Sequence, residues 1–148
     1  MAIVSISLIA TILLGSQIFH QIAYAEEPEG CGAGYWKNPK HFDEWVITGI
    51  EPDEQSVVIF VFSQGFFSGP PPTHQQILGL DGGTPIEKLA KEFLVAALNF
   101  LHPNINYGLD ESEIVSILVA AFQNNDPEEI LDAKDQLEFY NNMGCPLD

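Results

Sequence analysis

The sequence predicts an all-α fold, a single compact bundle of about five to six helices with its ends tied together, on three observations. Apolar residues in the second half recur at helical spacing, with no alternating pattern. Each of those runs opens on a capping signature. The two cysteines, Cys31 and Cys145, bracket nearly everything after the first 30 residues.

The first 25 residues contain no Asp, Glu, Lys or Arg and run through "IVSISLIATILLG" to Ala23-Tyr24-Ala25, directly before the acidic "EEPEG". An apolar stretch of about a dozen residues followed by small residues at −3 and −1 is the pattern of a secretory signal peptide, although the usual basic residue near the start is missing. Residues 1–25 are therefore expected to be a signal peptide cleaved after Ala25, and 26–148 a single helical domain. An uncleaved membrane anchor is the competing reading, since the charge-free stretch is nearly long enough to span a bilayer. The A-x-A-like site decides for cleavage, and membrane attachment is expected only through a leader that stays on.

Twenty-one acidic residues against five lysines and no arginine leave a net charge of −16, all of it after residue 25. Such a surface repels nucleic acid and anionic lipid, which excludes both as partners. Loose attraction of divalent cations is a property of the whole surface and marks no site.

The opening stretch "EGCGAGYWKNPKHFDEW", Glu29 to Trp45, concentrates aromatic residues around the first cysteine. Glycines beside Cys31 let the backbone turn sharply and approach closely. Tyr35, Trp36, Phe42 and Trp45 supply large apolar area, and Lys37 is placed to lie across an aromatic face. Together with Asn38 they form either a structural clamp that pins this segment to the core or an aromatic sugar-binding platform; the clamp is favoured, because aromatics beside a short helix are more often buried. Asn38-Pro39 starts that helix, which is expected to run through about Val46 and stop before Gly49. "SVVIFVFS", Ser56 to Ser63, has strand-like composition, yet no partner strand is visible, so a buried helix from near Pro52 is the expectation. "SGPPPT", Ser68 to Thr73, and "DGGT", Asp81 to Thr84, read as loops.

In the second half, Thr84, Pro85 and Glu87 make a capping box for a helix to about Leu101. Its apolar stripe is Ile86, Leu89, Ala90, Phe93, Leu94, Ala97, Leu98 and Leu101, widened late by Val95, Ala96 and Phe100. Asp110 and Glu113 cap the next helix, with Ile114, Ile117, Leu118, Ala121 and Phe122 inward. Asp126 and Pro127 begin the last one, where Glu128 and Glu129 face the positive end of the dipole. Ile130, Ala133, Leu137 and Tyr140 point inward there, and Gly144 is the stop before Cys145.

An even cysteine count in an exported chain favours a disulfide, and a bridge spanning nearly the whole mature chain is worth roughly 4 to 5 kcal/mol in the chain-entropy model. Unbonded or metal-binding thiols are the other reading, although no second Cys or His lies at ligand spacing from either. "GCGAGYWKNPKHFDEW", "LAKEFLVAALNFLHPNINYGLDESEIVSILVAAF" and "NNMGCPL" together resemble a group of small secreted bacterial and archaeal proteins. That group has a "GC-x-x-G-[YFW]-W-K" opening, a central "A-x-x-x-x-A-A-L-L-N-A" helix and a terminal "GCPL". The resemblance spans the mature chain and implies export and a Cys31–Cys145 pair; such domains occur alone or attached to surface proteins and carry no established catalytic activity. Members commonly have His directly after "WKN", where this chain has Pro39, with His41 two positions later.

No catalytic motif appears. His41, His74 and His102 are far apart and read as surface or loop-edge histidines. Acid pairs such as Asp43-Glu44, Asp53-Glu54 and Glu128-Glu129 are expected on solvated faces in so acidic a chain. "DESE", Asp110 to Glu113, lacks the ligand alternation of a calcium loop. No catalytic residue, metal or cofactor is expected. The expected role is a non-enzymatic secreted or cell-envelope domain that binds a protein or glycan partner at the cell surface or assembles there. The alternative is a small extracellular hydrolase with a carboxylate in a cleft. Buried Trp36, Trp45 and Lys37 favour the first; an open groove holding Asp43 or Glu44 with a raised pKa favours the second. Mass spectrometry of the exported protein should show loss of residues 1–25 together with two hydrogens, and an intact leader would refute cleavage.

Overall fold

The computed structural model describes residues 26–55 and 70–147. The expected leader and the segment 56–63 lie outside the described residues, as do positions 68 and 69 of the proline loop. Six α-helices are present among the described residues: α1 (Ala33–Trp36), α2 (Phe42–Thr48), α3 (His74–Leu78), α4 (Pro85–Leu101), α5 (Glu111–Phe122) and α6 (Pro127–Asn141). A 3-10 turn, Pro39–His41, leads into α2, and extended pairing is confined there to isolated bridges.

The three long helices begin where their caps say they must. The Thr84 hydroxyl accepts from the Glu87 N–H while Glu87 bonds back to the Thr84 N–H, and Asp110 with Glu113 repeats the arrangement. The Ser112 hydroxyl and the Glu113 and Ser112 N–H groups hold the Asp110 carboxyl below its ordinary pKa. Asp126 caps α6 through the Glu128 N–H. The helix predicted from Asn38-Pro39 divides into the 3-10 turn and α2, which ends at Gly49. One-turn α1 and α3 are too short to show a period, although Thr73 and Gln76 form a capping box of their own.

Pro52 starts no helix before position 56. Residues 52–55 form a turn and an antiparallel bridge from Gln55 to Thr73. Their carbonyls are used elsewhere: Pro52 O accepts from Gln75 N at 3.0 Å and Glu54 O from His74 N at 3.1 Å, seating the start of α3.

Helix α4 touches all five other helices and forms the axis of the core. Leu89, Ala90, Leu94, Val95, Ala96 and Leu98 are fully buried along it. Its buried surface is rotated from the predicted stripe: Leu101 and Phe100 are 45% and 38% exposed, while Glu92 and Asn99 lie inside at 4% and 0%. The cause is α6, which packs on α4 and whose Asn141 bonds to both Glu92 and Asn99; Ile130, Ala133 and Leu137 are buried on the same helix.

The N-terminal segment crosses this bundle as an extended strip. Glu29 N donates to Asn106 O at 2.9 Å and Gly30 N to Gly144 O at 3.0 Å, while Asn106 Nδ2 reaches the carbonyls of Glu26 and Glu27. Cys31 and Cys145, 114 positions apart, are joined by a disulfide with their Cα atoms 4.3 Å apart, and no described cysteine is free. Both flanking glycines are required. A Cβ on Gly30 would strike the Tyr140 carbonyl oxygen, and Gly144 has φ of +116°, which side-chain-bearing residues rarely adopt. Cys145→Ser should lower the thermal unfolding midpoint by about 10 °C or more, read by circular dichroism; an unchanged midpoint would contradict the staple.

Candidate functional site

The opening motif folds around two indoles. Trp36, the last residue of α1, and Trp45 in α2 have no exposed surface and meet edge to face, ring centroids 6.2 Å apart. Trp45 Nε1 donates to Trp36 O at 3.0 Å, and Trp36 Nε1 donates to Asn99 Oδ1 at 3.1 Å, so neither buried indole N–H is orphaned. Phe42 packs edge-on against Trp45 and Tyr35 against Trp36, both half-buried. Asn38 Oδ1 accepts from Lys40 N and caps the 3-10 turn. Among the described residues Lys37 lies over no aromatic ring; it follows the end of α1 and is exposed, and the face of Tyr35 is covered by the His41 imidazole, stacked at 3.9 Å. Of the predicted motif, then, the tryptophans are core, Asn38 is a cap, Tyr35 and Phe42 are a half-buried rim, and Lys37 faces solvent.

The centre that organises these residues was not visible in the sequence. Cys31 is fully buried in a segment with no helix or sheet to satisfy its backbone, and the Asn99 side chain does so: Asn99 Oδ1 accepts from Cys31 N at 2.9 Å and Asn99 Nδ2 donates to Cys31 O at 3.0 Å. Asn99 Nδ2 also donates to Asn141 Oδ1 at 3.3 Å. Asn141 Oδ1 accepts from the Tyr107 hydroxyl at 2.7 Å, and Asn141 Nδ2 donates to both the backbone oxygen and Oε2 of Glu92 at 3.0 Å. Every donor and acceptor position of both carboxamides is used. Burial pushes the Glu92 carboxyl above its ordinary pKa and the Tyr107 hydroxyl well above its own, and the charge on Glu92 adds to the latter. Glu92 and Asn99 lie seven positions, two helical turns, apart on one helix face; two polar residues sharing the phase of apolar Val95 and Ala96 was the available signal.

Two of the three histidines expected at the surface are buried. His102 is 1% exposed: its Nδ1 accepts from Asn104 N at 3.3 Å, and Nε2 carries the ring proton to Glu44 Oε2 at 3.0 Å. His74 is 3% exposed, with Nδ1 donating to Glu51 O at 2.7 Å and the ring tilted against Trp45. Both sit where a loop meets a helix, so their rings fill the junction and tie two chain segments together. Both ring nitrogens of His102 are hydrogen-bonded, to Glu44 Oε2 and Asn104 N, so the ring serves to hold two chain segments together. Glu44 is engaged in holding that ring, and its neighbour Asp43 is exposed in the first turn of α2. The acid with the raised pKa is Glu92, in the core, and the predicted clamp reading of the tryptophans is the one their burial supports. No group of three or more His, Cys, Asp or Glu among the described residues is placed to hold a metal ion.

This is the architecture of an aromatic clamp closed by a disulfide. Comparison of the chain with protein-family models, curated proteins and solved structures finds no match.

What the motif does offer to solvent lies on its outer side. Val46 and Ile47 on α2 are 62% and 52% exposed, and Lys37 and Lys40 project nearby in the chain. Trp36→Ala should cost roughly 3 to 5 kcal/mol in denaturant unfolding, where an exposed platform would lose little. The nearly isosteric Asn99→Asp, which strips the donors from Cys31 O and Asn141 Oδ1, should cost on the order of 2 to 4 kcal/mol.

Proposed function

We propose that the protein is a non-enzymatic, secreted or cell-envelope-associated helical domain that acts by binding a surface partner or by assembling there, through the outward side of the 37–47 segment. The observation that carries this reading is the division of labour within one motif: its tryptophans are committed to the core while Val46 and Ile47 project into solvent. Apolar side chains more than half exposed, close in sequence to two lysines that make no ion pair among the described residues, suit a contact surface with an apolar centre and a polar rim. Two of the chain's five lysines, Lys37 and Lys40, lie in this segment beside the acids Asp43 and Glu44, which makes it locally neutral in a strongly acidic protein.

Export is supported by the Cys31–Cys145 bridge, since such bonds persist in oxidising compartments. No helix among the described residues is long and apolar enough to cross a membrane, which is compatible with a protein held outside the bilayer. The resemblance of the "GCGAGYWKN" and "GCPL" stretches to small exported domains points the same way.

The oxidised mature protein, immobilised and offered the producing cell's envelope proteins and a glycan array, should retain a defined ligand. Val46→Ser with Ile47→Ser, and separately Lys37→Glu with Lys40→Glu, should weaken that binding about tenfold or more while leaving the unfolding midpoint in place. Full retention by both variants would remove the 37–47 segment as the contact.

A further inference from the structure

The two ends of the Cys31–Cys145 bridge sit in unequal settings. Cys31 has no exposed surface, belongs to the same buried cluster as Trp36 and Trp45, and has its backbone N–H and carbonyl both taken by the Asn99 side chain. Cys145 is only partly buried. It follows Gly144, whose carbonyl accepts from Gly30 N, and from Cys145 to Leu147 no further backbone hydrogen bond is made among the described residues. A thiol arriving from solvent reaches Cys31 only if the core opens, whereas Cys145 stands at the surface on a segment free to shift.

Cys145 also lines an open cleft of about 610 Å³, walled by Met143 and Pro146 from the chain's end and by Glu26, Glu27 and Glu29 from the N-terminal strip. The strip is held in place from behind, Asn106 Nδ2 donating to the carbonyls of Glu26 and Glu27 and Asn106 N to Glu29 Oε2. None of the residues lining the cleft is basic. The three carboxylates outweigh the single ammonium that cleavage after Ala25 would leave on Glu26. A cleft walled by charge of one sign gathers counter-ions and repels ions of its own sign, so cationic thiols and disulfides arrive at this cysteine faster than anionic ones.

We propose that Cys145 is the exchange sulfur of the bridge, which is made and unmade through a mixed disulfide on Cys145 with Cys31 as the resolving thiol, and that the acidic cleft selects cationic exchange partners over anionic ones. In formation, the Cys145 thiolate attacks one sulfur of an oxidant disulfide, R–S–S–R, forming Cys145–S–S–R and expelling RS⁻. Cys31, already seated by Asn99, then gives up its proton to solvent and attacks Cys145 Sγ, and the second RS⁻ leaves. The protein dithiol loses two electrons and two protons, and the oxidant becomes two RSH. Opening retraces the path: an attacking thiolate bonds to Cys145 Sγ, the S–S bond breaks, and its electron pair departs on Cys31 Sγ, which takes up a proton.

The test opens the bridge of the full oxidised protein, without denaturant, using three small thiols of different charge: cysteamine (cationic), 2-mercaptoethanol (neutral) and mercaptoacetate (anionic). Early time points are quenched in acid, free thiols are alkylated, and the adducts are located by peptide mass spectrometry. The small thiol should be found on Cys145 and the alkyl group on Cys31; the reverse pattern, or an even mixture, overturns Cys145 as the exchange sulfur. Rates are divided by those of the same thiols on an uncharged model disulfide, which removes their intrinsic reactivity. So corrected, cysteamine should lead mercaptoacetate by about tenfold or more at low salt, with the lead shrinking towards unity near 1 M salt. Equal corrected rates at low salt, or a lead indifferent to salt, overturn selection by the cleft. Replacing Glu26, Glu27 and Glu29 together by Gln, which leaves Asn106 N an acceptor at position 29, should flatten the charge preference and keep the adduct on Cys145. The wild-type thiol and salt series decides both points by itself should that variant fail to fold.

Discussion

The Asn99 carboxamide, paired with the backbone of Cys31, is the interaction on which the rest of this structure depends. A buried residue outside helix or sheet leaves two strong polar groups to be satisfied, and leaving them bare would cost several kcal/mol. One asparagine in the last turn of the central helix presents a donor and an acceptor at peptide spacing and replaces the missing strand. Because the same oxygen takes the Trp36 indole N–H, the place of the cysteine and the place of the tryptophan are decided together. The disulfide to Cys145 fixes the same residue from its side-chain end.

A bundle of apolar helices alone tolerates sliding and repacking; a fully bonded polar chain inside it does not, since any displacement strips several hydrogen bonds at once. Asn99, Asn141, Tyr107 and Glu92 join three parts of the chain that are distant in sequence: α4, the loop before α5 and the end of α6. The histidines serve similarly at the periphery, His102 tying the end of α4 to α2 through Glu44 and His74 tying α3 to the 51–55 turn. Residue types that suggest chemistry in a list of letters are here spent on holding the fold, and what the motif exposes is an apolar and lysine-bearing outer side.

Much of the framework was legible. Thr84, Asp110 and Asp126 each begin a helix because a side-chain oxygen next to a run of unpaired N–H groups is a local matter, decided within four residues. The Cys31–Cys145 pairing was the favoured reading of two cysteines in a chain expected to be exported, and the bridge is present. Less was legible of the site. Trp36 and Trp45 were weighed correctly as core, but Lys37 lies over no aromatic face among the described residues, Tyr35 stacks on His41 instead, and His74 and His102 are inside. The one-turn helices α1 and α3 escaped notice because periodicity needs more than a turn to declare itself.

What the sequence by itself determined, therefore, is the set of local decisions: where helices start, that they are amphipathic, that the surface is acidic and that the ends can be bridged. Only the tertiary structure decided which side of α4 is inward, and with it that Glu92 and Asn99 are core residues while Leu101 and Phe100 meet solvent. The physical reason is that hydrophobic burial has no direction of its own. A stripe of apolar residues specifies that a helix will be covered, but the angle at which it is covered depends on hydrogen-bond partners contributed by segments far away in the chain, here the backbone of Cys31 and the side chain of Asn141.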